Sequence, residues 1–323
     1  MKKVGIIGGS GYTGGELIRL ILQHPELEID FVFSTTQARK KITSVHPDLL
    51  GRTDLVFTDT INPEINVLYL CLGHGRSRDF LKSNSFSEET LIIDLGNDFR
   101  LEKSYKFKSK SFVYGLPELQ KEKIKKASAI ANPGCFATAI QIALLPLVKY
   151  KKFSEPIHIN ATTGSTGAGI GLSATTHFSW RNNNLSWYKP FNHQHLGEIH
   201  RTFNQLGAKT ELFFMPQRGA FSRGIFTTAY TTFKGSLNEA ILLYKEFYSD
   251  SPFTHISDKQ ISLKSVVNTN NCFVHLYLHE NTLLITSCID NLIKGASGQA
   301  IQNTNLMMGW KETLGLELKA IIY

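Results

Sequence analysis

Asn132-Pro133-Gly134-Cys135 is the stretch of this 323-residue chain best suited to covalent chemistry. A short apolar segment, Ala129–Ala131, precedes it, and a helical pattern over Ala137–Val148 follows. Pro133 and Gly134 set a turn, which places Cys135 in the first turn of the helix. The positive end of a helix dipole favours a thiolate there. The N–H groups of the same turn are suited to holding an oxyanion. Cys71, Cys272 and Cys288 lie inside apolar, strand-like runs and read as small buried hydrophobes. The four cysteines match no zinc spacing and are too few for a disulfide scaffold, so reduced thiols and no metal site are expected.

A nucleophile needs a proton carrier. His193 and His195 stand two apart and share a face if the segment is extended. Glu198, three residues beyond His195, is placed to orient an imidazole if a helix starts there. Sequence alone does not choose between the two histidines. A zinc pair is disfavoured because no third ligand is evident. Arg218 and Arg223 are candidates for gripping a substrate carboxylate, since a guanidinium binds one bidentately. Ser165 and Thr166 sit in the Gly-rich stretch Gly164–Gly169, whose N–H groups suit a phosphate.

A second constellation lies at the N-terminus. The apolar run Lys3–Gly8 leads into Gly8-Gly9-Ser10-Gly11-Tyr12-Thr13-Gly14, and a helical pattern over Gly14–His24 follows. Strand, glycine triplet and helix in that order are what a pyrophosphate needs: a tight turn, close backbone approach and a helix N-terminus. Gly8, Ser10, Gly11, Tyr12, Thr13 and Gly14 are the expected cofactor contacts. The next strand, Ile29–Phe33, ends in Ser34, Thr35 and Thr36, with Arg39 close behind and no acidic residue to grip a ribose 2′-hydroxyl. Hydroxyls and a cation suit a 2′-phosphate, which favours NADP over NAD. Gly73 and His74, at the end of a third strand, are expected to line the nicotinamide pocket.

The elements that must carry these groups fall into two patterns. Up to Cys135 short apolar strands (Val67–Leu72, Leu91–Leu95, Ala129–Ala131) alternate with helices, which implies a parallel sheet covered on both faces. Beyond it, Ile157–Thr163, Leu212–Met215, Gly224–Phe233, Cys272–Tyr277 and Thr282–Cys288 read as longer strands of a second sheet, and the last two form a hairpin. The expectation is an α/β chain with a Rossmann-type parallel sheet domain, 1–134 with 300–323, and a mixed-sheet α+β catalytic and oligomerisation domain, 135–299. The C-terminal helix, Ser297–Met308, is expected to pack on the first domain.

A formal charge of +8 attracts anions, but the lysines are scattered and lack interleaved aromatics, so nucleic acid is an unfavoured partner. No apolar run approaches the ~20 residues of a membrane span, and glycines interrupt the N-terminus too early for a signal core. A cytoplasmic protein with a small-molecule substrate, no membrane partner and a homo-oligomeric state (dimer or tetramer) is expected.

Several motifs together carry a resemblance: the glycine loop 9–14, Asn132–Cys135, Gly164-Ser165-Thr166-Gly167-Ala168-Gly169, His193-Gln194-His195 with Glu198-Ile199, Arg223-Gly224-Ile225, and Asp290–Ala300. In these the chain resembles the N-acetyl-gamma-glutamyl-phosphate reductases over essentially its whole length, within a wider group that includes aspartate-semialdehyde dehydrogenase. The resemblance implies NADPH-dependent reduction of an N-acyl-glutamyl phosphate to the semialdehyde, a step of arginine biosynthesis. It implies that the His-x-His segment supplies the acid–base residue, and it points to Arg100, after the fourth strand, for the substrate phosphate; Asn132, beside the cysteine, is a further substrate-binding candidate. It also implies that Asn291 and Lys294 reach the cofactor. Chemically, a Cys135 thiolate displaces phosphate from the acyl phosphate, and the thioester formed accepts a hydride.

Two departures from the family pattern stand near the place for the acylated amino group. The glycine loop continues Ile170-Gly171-Leu172-Ser173 instead of into Arg and Lys, and Leu196-Gly197 replaces a pair ending in Pro. They point to an altered acyl preference, for example N-succinyl in place of N-acetyl. A third departure is Phe136-Ala137-Thr138 after the cysteine. Competing readings are an aspartate-semialdehyde dehydrogenase-type reductase and a non-catalytic NADP-sensing binding protein.

Overall fold

The computed structural model describes residues 1–73, 75–101, 103–154 and 156–323. The chain divides into two units, Met1–Pro133 with Ala296–Glu317 and Gly134–Gly295 with Leu318–Tyr323. The boundaries thus fall at 133/134 and 295/296. The last six residues group with the second unit, where Ile321 donates to the Val267 carbonyl and Asn268 Nδ2 to that of Lys319.

The first unit begins with β1 (Lys2–Ile7), α1 (Tyr12–Ile21), β2 (Leu27–Phe33), β3 (Phe57–Thr58) and β4 (Val67–Leu70). It continues through α2 (Ser77–Ser83), β5 (Leu91–Asp94), a small ribbon of β6 (Lys106–Phe107) and β7 (Lys110–Ser111), β8 (Val113–Tyr114), α3 (Pro117–Ile124) and β9 (Ala129–Ala131). Seven strands pair in the order β3-β2-β1-β4-β5-β9-β8, all parallel. Val67–Leu70 is buried at every position, as a strand covered on both faces must be. Helix α1 buries Leu17, Ile18, Leu20 and Ile21, the apolar stripe legible in the sequence. Truncating Leu17 to Ala would cost about 2–5 kcal/mol. The reversal of strand order between β1 and β4 creates the crevice at which such sheets bind dinucleotides. The helix Gly298–Met307, preceded by a π-helical turn over Ile293–Ser297, packs on α1 and α3 of this unit, as expected.

The second unit runs α4 (Cys135–Lys149), β10 (Ile157–Thr163), α5 (Phe178–Arg181), β11 (Ser186–Trp187), α6 (His195–Gln205), β12 (Leu212–Arg218) and β13 (Ile225–Thr232). It closes with α7 (Leu237–Phe247), β14 (Thr254–Ser257), β15 (Cys272–His279) and β16 (Thr282–Ile289). Its mixed sheet has the order β11-β12-β10-β13-β16-β15-β14. Burial alternates along β10 and β13, so one face is packed and the other is open. Helix α4 covers the packed face and is buried from Phe136 to Val148. Ser287 donates to the Ala139 carbonyl, Tyr248 to that of Ile142 and Tyr244 to that of Ala143, so the helix that begins at Cys135 is fastened by side chains as well as by packing. Among the described residues no helix is long and apolar enough to cross a membrane.

Candidate active site

Cys135 is the first residue of α4, and Gly134 is its N-cap in extended conformation with no side-chain cap. The first N–H groups of a helix lack intrahelical partners. Here one of the neighbouring amides is taken: Gly134 N–H donates to Glu198 Oε2 at 3.0 Å. Glu198 lies in the first turn of α6, is buried, and places its other oxygen 4.0 Å from His195 Nε2. A Cβ at position 134 would stand 2.4 Å from His195 Nε2, so only glycine lets the imidazole lie against this turn. A Cβ on Gly295 would likewise stand 2.8 Å from Cys135 Cβ.

His193 and His195 are both buried, and their rings meet edge to face with centroids 4.6 Å apart. The His195 N–H donates to His193 Nδ1 at 3.2 Å, which makes that nitrogen an acceptor. In the neutral ring the proton then sits on His193 Nε2. Phe136 packs edge-on against both rings. The structure therefore brings Cys135, His193, His195 and Glu198 together in one unit. The other thiols behave as buried ones do. Burial pushes Cys288 up to about 12, and burial plus the nearby Asp94 carboxylate does the same to Cys71.

Arg218 and Arg223 differ. Arg223 forms a two-point ion pair with Asp290, Nε to Oδ2 at 3.1 Å and Nη2 to Oδ1 at 3.3 Å. Asp290 has no exposed surface and also accepts from the N–H groups of Asn268, Leu292 and Ile293. Arg218 has no acidic partner among the described residues; its guanidinium stacks 4.6 Å over the Tyr188 ring. Tyr188 also meets the His193 ring edge to face. Burial pushes its hydroxyl up to about 12, with Arg218 opposing and the nearby Cys135 adding to the rise, so it stays a donor at neutral pH. Sequence reasoning misses Tyr188, because a tyrosine in a polar loop carries no pattern.

Asn291 spends its amide inside the second unit, accepting from Gly224 N–H at 2.6 Å and donating to Thr166 Oγ1 at 3.0 Å. It thereby holds the Ser165–Thr166 turn to the Arg223–Gly224 turn. Lys294 has no exposed surface, and its ammonium lies 5.8 Å from the centre of the Phe253 ring. Ser165 donates its N–H to the Phe221 carbonyl and leaves its hydroxyl without a hydrogen bond among the described residues.

In the first unit the glycine loop turns tightly between β1 and α1. Gly8 has a φ of +79°, and a Cβ there would meet the Cys71 carbonyl at 2.6 Å. A Cβ on Gly14 would strike Gly9 at 2.6 Å, whereas one on Gly11 finds nearly open space. Helix α1 starts at Tyr12 with no side-chain cap, leaving its first N–H groups for a phosphate. This cradle fits a dinucleotide. His46, which no sequence pattern marks, packs on Gly15 and hydrogen-bonds the Gly9 carbonyl at 2.8 Å. Thr13 gives its carbonyl to Ser297 Oγ at 2.8 Å. Ser34 is buried beside Ser10, their hydroxyls 3.4 Å apart; Thr35 is exposed, and Arg39 takes a left-handed conformation with its N–H on the Phe57 carbonyl.

The loop after β4 is tied to the loop after β5. Ser77 Oγ and Gly96 N–H both donate to Asp94 Oδ1, while Gly75 and Arg78 N–H donate to Asp98. Gly73 lies in that loop at a φ of +79°; His74 falls outside the described residues. Arg100 is buried, with Nη2 on the Leu95 carbonyl and its charge near Asp94. Asn132 is likewise buried and bonded, through Nδ2 to the Ala296 carbonyl and through Oδ1 from Asn303 Nδ2.

Two sequence profiles match the chain: "Semialdehyde dehydrogenase, NAD binding domain" over residues 3–127 and "Semialdehyde dehydrogenase, dimerisation domain" over residues 135–291. An N-acetyl-gamma-glutamyl-phosphate reductase of Flavobacterium johnsoniae is 59% identical over 321 residues, covering 99% of both chains. That of Phocaeicola vulgatus is 52% identical over 322 residues, again 99% of both. The chain belongs to the N-acetyl-gamma-glutamyl-phosphate reductase family. Among solved structures, an aspartate semialdehyde dehydrogenase II of Vibrio cholerae superimposes with a TM-score of 0.69 at 16% identity, covering 96% of this chain and 99% of that one. One of Candida albicans, determined with NADP, gives 0.67 at 16% identity over 95% and 99%. At that identity the superposition establishes for this reductase-family chain the fold alone: a Rossmann-type unit followed by a mixed-sheet unit.

Proposed function

We propose that this protein reduces an N-acyl-glutamyl 5-phosphate to the N-acyl-glutamate 5-semialdehyde with release of phosphate, using NADPH, in arginine biosynthesis. The observation that carries this reading is the cluster at the start of α4: Cys135 at a helix N-terminus, His195 against the preceding Gly134, both histidine rings against the following Phe136, and Glu198 holding the turn beside the His195 imidazole. Membership of the reductase family supplies the substrate class.

The chain's own groups divide the work. The helix field and a neighbouring imidazole favour the Cys135 thiolate, which attacks the acyl phosphate carbon and expels phosphate. The N–H groups at the helix start face the oxyanion of the tetrahedral intermediate. The reduced nicotinamide of NADPH supplies the hydride that the thioester accepts. The imidazole then returns its proton to the product oxygen, and the thiohemiacetal collapses to aldehyde and thiol. His195 is our choice for the proton carrier, because Glu198 lies beside its Nε2 and it rests against Gly134, while His193 gives Nδ1 to holding His195 in place. Arg218 takes the substrate α-carboxylate; Arg223, already paired with Asp290, shapes the turn next to it. Gly8, Ser10, Gly11, Tyr12, Thr13 and Gly14 hold the pyrophosphate, Ser34, Thr35 and Arg39 the 2′-phosphate, and Gly73 the nicotinamide end.

The working form is a homodimer, in the cytoplasm. The open face of the second sheet carries a cleft of about 380 Å³ lined by His158, Phe213, Met215, Tyr230 and Phe191. His158 stacks on Tyr230 at 4.9 Å within it. An aromatic sheet face of this kind is a typical subunit contact. An assay following NADPH consumption with N-acetyl- and N-succinyl-glutamyl phosphate tests the activity. Turnover of aspartyl phosphate alone would assign the chain to the other branch of the group, and NADPH binding without turnover of any acyl phosphate would favour a sensing role.

A further inference from the structure

Position 9 of the glycine loop has to be glycine, because a Cβ there would collide with Val32 Cγ1. The same glycine leaves the Gly9–Ser10 peptide with no side chain to restrain it. Its orientation matters. A peptide unit is planar and its C=O and N–H point opposite ways, so fixing the Gly9 carbonyl also aims the Ser10 N–H. That N–H has no hydrogen-bond partner among the described residues. An unspent N–H in a loop that opens a helix is suited to a pyrophosphate. The reversed peptide would turn a carbonyl oxygen toward the anion instead.

His46 supplies the restraint. Its Nε2 lies 2.8 Å from the Gly9 carbonyl oxygen. A carbonyl only accepts, so Nε2 carries the proton. The ring lies against α1 at Gly15, where a Cβ would meet its Nδ1 at 2.5 Å. The backbone holds the histidine as well: its N–H bonds the Ile42 carbonyl at 2.9 Å, and its carbonyl accepts from Leu49 at 3.1 Å. The ring also lies 6.3 Å, centroid to centroid, from that of buried Phe57. Phe57 in turn holds the Arg39 loop, accepting from Arg39 N–H at 2.8 Å and donating to the Lys40 carbonyl at 2.9 Å.

We propose that His46 is a positioning residue for the cofactor: its Nε2 proton pins the Gly9 carbonyl so that the Ser10 N–H faces the pyrophosphate. It neither touches the nucleotide nor moves a proton in the reaction. This rests on the reading of the glycine loop as an NADPH site. A histidine that only filled space beside Gly15 and Phe57 could be replaced by another ring without loss. The hydrogen bond to Gly9 is the difference to isolate.

The test is calorimetric titration of the protein, without acyl substrate, with NADPH and with adenosine 2′-phosphate, which has the 2′-phosphate but no pyrophosphate. His46→Phe keeps a ring and loses the donor. Its Kd for NADPH should rise about tenfold, the scale of a charge-assisted hydrogen bond, with that for adenosine 2′-phosphate within about twofold of wild type. His46→Gln, whose amide N–H can reach the place of Nε2, should recover most of the NADPH affinity. Unchanged NADPH affinity in His46→Phe overturns the proposal. So does a parallel loss of both ligands, or a His46→Gln as weak as His46→Phe. Should His46→Phe fail to fold, His46→Leu, also without a donor, is held to the same outcomes. A wild type that binds no NADPH would reject the NADPH reading and the proposal with it.

Discussion

Gly134 donates its N–H to Glu198 Oε2 at 3.0 Å, so one buried carboxylate both fixes the turn that presents Cys135 and stands beside the His195 imidazole. The link joins α6 to the start of α4. It ties the turn at Cys135 and the His195 imidazole to the same carboxylate.

Removing the charge of Glu198 but keeping its shape should separate these two roles. In Glu198→Gln the Gly134 bond can persist through the amide oxygen, while the imidazolium beside it loses its stabilising anion. An opposite charge at about 4 Å favours the imidazolium over the neutral ring, so its loss favours the neutral ring. The limb of the pH–kcat profile that requires a neutral base should therefore move to lower pH. In Glu198→Ala kcat should also fall, by roughly 10- to 100-fold, as the turn loosens. An unmoved limb in Glu198→Gln would remove Glu198 from the proton relay.

Gly134→Ala probes the same contact sterically. Its Cβ would lie 2.4 Å from His195 Nε2, so the imidazole must leave its place. Activity should drop by about 100-fold, with a stability loss of about 1–3 kcal/mol typical of overpacking. Urea unfolding and kcat measured together check this. Wild-type kcat would show that His195 does not act from its present position.

Asp94 gives a pH prediction in the first unit. Burial raises its carboxyl from the ordinary 3.8 to about 6, against the bonds from Ser77 and Gly96 and the charge of Arg100. With the folded pKa above the unfolded one, the neutral acid is the favoured buried form. Its stabilising contribution is full below pH 3.8 and is lost as the pH rises through about 6. A rise of that size is worth ~3 kcal/mol. Asp94→Asn should lack this pH dependence, so the stability gap between variant and wild type should change between pH 4 and pH 8 in urea titrations. A constant gap contradicts the assignment.

Arg39 is expected to read the 2′-phosphate. Arg39→Ala should raise KM for NADPH by roughly tenfold or more, the scale of a charge-assisted contact, and leave KM for NADH nearly unchanged. A parallel rise in both would assign Arg39 to the backbone of the loop, where it holds a left-handed conformation.

Much of this was legible in the sequence, for identifiable reasons. Strands such as Val67–Leu70 and helix α1 have strong apolar patterns and formed where the patterns lay. The glycine loop and Cys135 carry their geometry in residue type. Two-residue strands such as β3 and β8 have no periodicity to read; they exist because the parallel sheet offers an edge. The side-chain partners hardest to read from the sequence are those that lie far away along the chain. Asp290 claims Arg223 across 67 residues, and Asn291 claims Gly224 across the same span. Tyr188 and Arg181 meet Arg218 from 30 and 37 residues away, contacts that no local pattern announces.

The central claim is covalent catalysis at Cys135, and acylation without phosphate tests it most directly. Enzyme mixed with NADP and the N-acyl-glutamate semialdehyde, with no phosphate present to release the acyl group, should give a burst of one NADPH per active site. The acyl mass should then appear on the peptide bearing Cys135, and Cys135→Ser should give neither while still binding NADPH. Acylation at another residue, or sustained turnover by Cys135→Ser, would contradict the account.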